Sequence, residues 1–523
     1  MSEVIGVNLA LIGYLMPLPL LLVACLPIFT RSVDTIFQIG RAVAIGTFLL
    51  SLGIAGLIFS SGQMVSPTIG WGNIGISLRL DALSIAMCWL VTLLGTLLIQ
   101  FSRNYLDGDA RQIAFFSRLC ATLSAVLFLV LSGNLWQLVL AWIGTSLALH
   151  QLLVFYAERR KALIAARKKF IVARVSDVCL VIATILIARA FNTTDLGLIH
   201  NAVSQALAEG IVPSGVGIAA ILIVIAAALK SAMFPFHGWL LEVMETPTPV
   251  SALLHAGLLN AGTFLVVRFG ELVFLATPAL IMLIAIGGFT AIFASSAMIT
   301  QSSVKVSLAY SSAAHMGFML MLCGFGAHSV AIMHLIAHSF YKAHAFLSSG
   351  SIVEYVQNTG TQKLDHVPHP LVLLTNLAVA LGIFLAIAAL LGVNIIQHPG
   401  ETALGMIFAI AVAYLLVKGN TAKSSVQMIG RTALLALAVT LAFFALELSA
   451  KALLGDVVAV FPQPDTPTLI AMMIAVLAFG AVTLLSALLP TLVHRPAWRA
   501  FYVHLKNGFY ANALYDRFIR AYR

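Results

Sequence analysis

A chain of 523 residues would ordinarily fold as several soluble domains. With 61% hydrophobic and only 9% charged residues, it has too little polar surface to coat them, which places it among polytopic membrane proteins. The formal net charge of +10 raises the question of nucleic acid, but the placement of the charges described below argues against it.

Apolar runs of about twenty residues, enough to cross a bilayer, lie near 7–29, 38–60, 80–101, 115–133, 135–156, 170–190, 216–240, 249–269, 278–299, 304–325, 328–350, 371–393, 402–418, 430–450 and 468–490. The expected fold is therefore all-α and polytopic, with about fifteen transmembrane helices. The first run is read as retained rather than cleaved, because Glu3 stands where a signal peptide carries positive charge and no small-residue cleavage site precedes Pro27. If the chain starts outside, nearly all lysines and arginines fall in the inner loops, notably 159–174 and 495–523. Only Arg79, Arg189, Arg268 and Lys451 fall on the other side, and Lys230 and Lys342 within the bilayer. That is a positive-inside pattern. The basic charge is topological, with no nucleic acid implied, and the expected location is a bacterial inner membrane with the N-terminus outside.

The first three spans carry polar residues (Asp34, Arg41, Asp81) only at their ends. Ser132-Gly133-Asn134 joins the fourth and fifth as a tight antiparallel pair. The fifth, LWQLVLAWIGTSLALHQLL, contains no acid, only Thr145, Ser146 and His150 as polar candidates. In the sixth, Arg174 and Asp177 stand at i and i+3, so they share one helix face as an ion pair. A structural role and a place on a proton path are both open for Asp177. Residues 191–215 read as a polar outer loop.

The stretch Leu229–Arg268, LKSAMFPFHGWLLEVMETPTPVSALLHAGLLNAGTFLVVR, organises the rest. An apolar helix carries Lys230 and breaks at Pro235. The chain turns through Glu242, Glu245, Pro247 and Pro249, then re-enters a helix carrying His255. A charge at membrane depth is costly and should face protein or water, and an irregular backbone there is tolerated where it lines a cavity. Snorkelling is the plain alternative for Lys230, but apolar sequence flanks it on both sides. Downstream, Lys305 precedes His315. His334, His338 and Lys342 then recur every four residues on one helix face, the spacing of a proton relay. Zinc chelation by His334 and His338 is the weaker reading, since Leu335 stands where HExxH needs its acid. The five cysteines lie in apolar runs without CxxC spacing, so no disulfide or metal cluster is expected. The tail, HRPAWRAFYVHLKNGFYANALYDRFIRAYR, mixes aromatics with arginines as an interfacial helix or docking segment does.

The Lys230–His255 stretch, LAYSSAAHMGFM at 308–319 and HLIAHSFYKAHAFLSSGS at 334–351 strongly resemble the antiporter-like membrane subunits of respiratory complex I (its L subunit) and the Mrp sodium/proton antiporters. The resemblance implies two inverted five-helix repeats, each with a broken helix, and proton passage along a central axis. By motif matching, that axis would include Lys230, His255, His334, His338, Lys342 and Asp177, with Glu245 and Lys305 beside it. It also implies a division into N-terminal helices (1–110), a first repeat with the broken helix (111–270), a degenerate second repeat (271–425), C-terminal helices (426–490) and a basic aromatic tail (491–523).

Three departures stand out. The family's fifth-helix glutamate falls on Ile143, the lysine–acid pair of its second broken helix is missing between Pro370 and Asn394, and the chain ends after NALYDRFIRAYR, where L subunits continue into a lateral helix. The expectation is thus against a place in respiratory complex I. The chain looks more like the DabB membrane subunits of bacterial two-part inorganic-carbon accumulation systems, whose DabA partner resembles a zinc-dependent β-carbonic anhydrase. That implies an ion-translocating, non-enzymatic subunit driven by H⁺ or Na⁺, with no cofactor in this chain and zinc on a cytoplasmic partner. An antiporter subunit of an Mrp-like, complex I-like or hydrogenase assembly, and a passive membrane anchor, remain the alternatives.

Overall fold

The computed structural model describes residues 9–71, 74–350, 370–392, 397–419, 426–455, 463–492 and 495–521. It begins with α1 (Leu11–Ile28) and α2 (Val33–Ser61), followed by α3 (Ala82–Tyr105), α4 (Gln112–Val130), α5 (Leu135–Leu153) and α6 (Arg160–Phe191). Next come α7 (Leu196–Glu209), α8 (Val216–Lys230), α9 (Gly238–Glu242), α10 (Thr248–Arg268) and the short α11 (Gly270–Phe274). The second half holds α12 (Thr277–Ile299), α13 (Val304–Gly324), α14 (His328–Leu347), α15 (Pro370–Leu390), α16 (Pro399–Gly419), α17 (Val426–Leu454) and α18 (Thr466–Leu492). The tail forms α19 (Pro496–Lys506) and α20 (Ala511–Ala521).

Among the described residues, 12 helices are long and apolar enough to cross a membrane, and the chain is an integral membrane protein. The expected count of about fifteen is not reached by that measure. The remaining predicted spans coincide with α5, α8 and α14, which fall short because one is brief and the others carry the polar residues of the site. Where the sequence loses its apolar period, local chemistry sets the ends. Asp81 caps α3 by accepting from Ser84 N at 2.8 Å, and Asn134 caps α5 by accepting from Trp136 N at 2.8 Å. Each satisfies a backbone donor that lipid could not.

Two features differ from the reading of the sequence. Between α2 and α3 the chain makes two small antiparallel pairs, β1 (Met64–Val65) with β4 (Arg79–Leu80) and β2 (Ile69–Trp71) with β3 (Ile74–Ile76). Residues 62–81 lack a helical apolar stripe, so strands are the available way to satisfy the backbone. Residues 191–215 are not merely a loop. Asp195 accepts from Gly197 N and Leu198 N to start α7, and Gly210 ends it at φ +67°.

Small residues set the closest helix approaches, as expected where lipid offers no hydrophobic drive to associate. A Cβ on Gly287 of α12 would lie 2.6 Å from the Gly317 carbonyl oxygen of α13. One on Gly262 of α10 would press into Ser231 Oγ and lie 2.5 Å from the Ala227 carbonyl oxygen of α8. That second contact matters most, because it presses the end of the Lys230 helix against the His255 helix. In the second half, α15 runs as one uninterrupted helix.

A candidate ion path through two buried polar clusters

The first cluster forms where α8 stops. Lys230 is its last residue, and the chain then passes through Ala232 at φ +55° and Pro235 before α9 begins. The Lys230 amine donates to Ser146 Oγ at 2.8 Å and to the Trp142 carbonyl at 3.1 Å, and lies 4.2 Å from the centroid of the Trp142 ring. On α6, buried Lys169 donates to the Ser146 carbonyl at 2.7 Å. One turn of α5 therefore receives two amines. Asp177 is engaged by Arg174 at 2.6 Å, as the i, i+3 spacing predicts.

The second cluster lies between α10, α13 and α14. His255 is fully buried inside a π turn (Leu254–Leu258), its ring stacked on Phe346 with centroids 4.3 Å apart. π turns recur at functional sites because they re-aim side chains out of helical register. His315 and His334 meet through Nδ1 and Nε2 at 3.0 Å, and the rings of His315 and His338 have centroids 4.8 Å apart. Lys342, fully buried, donates to the Leu308 carbonyl at 3.0 Å. Lys305 reaches Thr248 Oγ1 at 3.5 Å. Glu245 ends the 3₁₀ turn Val243–Glu245 after α9, and its side chain lies outside the described residues.

A polar seam runs between the clusters. Ser231, next to Lys230, donates to the Leu259 carbonyl at 3.0 Å, and Asn260 donates to Ser339 Oγ at 2.8 Å. Ser339 follows His338 in the chain, so the end of α8, α10 and α14 are linked by hydroxyl and amide groups. Both ring nitrogens of His255 and of His338, with Asn260 Oδ1 and Thr263 Oγ1, are buried without a hydrogen-bond partner. Leaving such groups dry would cost several kcal/mol in total, at roughly 1–3 kcal/mol each, so they are the atoms a hydrated route would serve. The described residues contain no group of three or more acids, histidines or cysteines arranged to hold a metal.

Sequence reasoning passed over two members. Lys169 was counted with the basic loop, yet it shares the buried stripe of α6 with Ala165, Ala166, Val172, Ala173, Ser176 and Asp177, and that helical period was the available signal. His315, on a separate helix from the row His334, His338 and Lys342, joins it through its bond to His334.

Two further polar knots hold the ends of the bundle. Asp81, wholly buried, accepts from Arg79 at 2.8 Å and from Arg268 at 3.1 Å, which ties the start of α3 to the end of α10. Burial pushes its carboxyl up, but Arg268 and then Arg79 outweigh that and hold it below the usual carboxylate range. At the opposite, basic end, buried Lys168 bridges Glu242 at 2.7 Å and Asp516 at 2.8 Å, and donates to Asn512 at 2.8 Å. The tail helix α20 thereby docks beneath the break in the Lys230 helix.

Comparison with known proteins gives the family and the fold. Residues 132–395 match the family described as NADH:quinone oxidoreductase/Mrp antiporter, TM, and residues 68–116 match the complex I chain 5 N-terminus. The chain is 37% identical over 476 residues (90% of the chain, 85% of the relative) to "Probable inorganic carbon transporter subunit DabB2" of Halothiobacillus neapolitanus. It is 35% identical over 388 residues (73% of each) to "Probable inorganic carbon transporter subunit DabB" of Hydrogenovibrio crunogenus. Subunit L of the Mycobacterium tuberculosis NADH-quinone oxidoreductase is 33% identical over 60% of the chain and 50% of its own length. In fold, the chain is similar to the Mrp complex of Dietzia sp. (TM-score 0.56, 22% identity, 93% of this chain and 52% of that one). It is likewise similar to an archaeal membrane-bound sulfane sulfur reductase (TM-score 0.57, 18% identity, 98% of each chain). The chain therefore belongs to the NADH:quinone oxidoreductase/Mrp antiporter family of membrane subunits, as a relative of the DabB inorganic carbon transporter subunits.

Proposed function

We propose that this chain is the proton-conducting membrane subunit of a two-component inorganic-carbon uptake complex. In this reading an ion gradient crosses the bilayer through Lys230, the Ser231–Asn260–Ser339 seam, and the His255, His315, His334, His338 and Lys342 cluster. Asp177, Glu245 and Lys305 serve its approaches. The observation that carries it is the seam, because it lines the way between buried amines and imidazoles with hydroxyl and amide groups that can hold the water a proton needs.

The carbon chemistry rests on the DabB relatives and belongs to a partner, a DabA-like zinc carbonic-anhydrase-like subunit on the cytoplasmic face. The residues described here offer no three-ligand metal group. The basic face is assigned to the cytoplasm of a bacterial inner membrane by the positive-inside rule, and the first repeat is assigned to residues 111–270. The test is growth complementation at ambient carbon dioxide. Lys230→Ala and His255→Ala should each abolish rescue while membrane levels hold, and full rescue by either would remove the path. Growth that depends instead on sodium/proton exchange, without a carbon phenotype, would move the chain to an Mrp-like antiporter.

A further inference from the structure

We infer that Lys169, Lys230 and Ser146 form a buried binding site for a small monovalent anion of the bicarbonate or chloride class. Lys169 comes from α6, Lys230 from the end of α8, and both amines fasten on the same residue of α5, one through its carbonyl at 2.7 Å and one through its hydroxyl at 2.8 Å. An ammonium has three N–H donors. Lys230 places two of them, on Ser146 and Trp142, and Lys169 places one, on Ser146. The indole Nε1 of Trp142 is also buried with no acceptor, and its ring centroid lies 4.2 Å from the Lys230 amine. Unspent donors therefore gather around one turn of α5.

Among the described residues a single carboxylate, Asp177, faces Lys230, Lys169 and Arg174 together, so basic groups outnumber acids there. Among the described residues neither amine forms an ion pair, and Asp177 is engaged by Arg174 at 2.6 Å. Position 143, one turn before Ser146 on the same helix, is isoleucine. Two like charges converging in a buried site repel each other unless one is discharged or an opposite charge joins them. An anion of one negative charge does so while accepting the spare N–H groups, and its planar or spherical form fits donors arriving from separate helices. The site shares Lys230 with the proposed path, but it does not depend on translocation, and binding is read without transport.

The purified protein, with whatever subunits copurify, is melted in gluconate buffer at constant sodium while sodium bicarbonate or sodium chloride replaces gluconate. The expected result is a saturable rise in melting temperature, weakened at least about tenfold in half-saturation by Lys169→Met, where an anion loses one of its two cations. A rise with bicarbonate alone assigns an oxyanion site, and an equal rise with chloride assigns a general monovalent-anion site. Because Lys169→Met could fail to fold, Ile143→Glu supplies a second test that retains both lysines. A carboxylate one turn from Ser146 should lift the melting temperature in gluconate and abolish the response to either anion. A wild-type response that is absent, or that only grows linearly with salt, would overturn the inference. So would an undiminished response in Ile143→Glu.

Discussion

Asp81→Asn isolates one charge at the end of the bundle. Asparagine keeps the shape and the oxygen that caps α3, so the change removes the carboxylate and little else. It leaves Arg79 and Arg268, whose side chains are 9% and 6% exposed, facing a neutral amide. Breaking a buried ion pair by removing one partner costs about 3–5 kcal/mol. With unfolding entropy near 2 cal/mol/K per residue, a chain of this length should lose on the order of 3–5 °C in melting temperature.

The pH dependence has a definite sign. A carboxyl held below its ordinary value contributes stability that is fully present above the unfolded value, about 3.9, and is lost as pH falls through the lower folded one. Thermal melts in detergent from pH 7 down to pH 3 should therefore show a constant gap between wild type and Asp81→Asn down to about pH 4.5, narrowing below that. A variant melting within about 1 °C of wild type at pH 7 would refute the assignment, as would a gap that closes between pH 7 and pH 5.

Three other outcomes follow from the geometry. Gly262→Ala places a Cβ 2.5 Å from the Ala227 carbonyl oxygen, a backbone atom that cannot step aside. It should cost about 1–3 kcal/mol and lower proton flux by shifting Lys230, both measurable by thermal melts and reconstituted flux. Lys168→Met removes the cation between Glu242 and Asp516, so α20 should detach and trypsin should cut within 495–521 several-fold faster, while an unchanged digestion rate would mean the tail is held by its other contacts. Asn260→Leu with Ser339→Ala, which keeps the branched side-chain shape at 260 but removes the seam, should slow proton flux at least about tenfold, as read by pH-sensitive dye in proteoliposomes.

The legible part of the fold was whatever a period or a motif encodes locally. Apolar runs located the helices, and the break after Lys230 followed from Pro235. The four-residue spacing of His334, His338 and Lys342 correctly put them on one face of α14. Hidden from view were the features that arise only when helices meet. Nothing in the basic run names the partners that draw Lys168 and Lys169 inward, although the helical period of α6 puts Lys169 on its buried stripe. Lys168 turns inward because Glu242 and Asp516 wait for it from distant segments, and Lys169 because α6 presents its buried stripe to Ser146. The hairpins at 64–80 escaped because strands of two or three residues carry no usable alternation. His315 looked solitary because its partner, His334, lies on a separate helix.

The central claim, that protons cross through Lys230, is tested most directly by proton flux into proteoliposomes containing the purified complex, with an imposed pH gradient and valinomycin to clamp the potential. Wild type should collapse the gradient, and Lys230→Ala, incorporated at the same level and melting normally, should hold it at the rate of empty vesicles. Flux through Lys230→Ala equal to wild type would contradict the account.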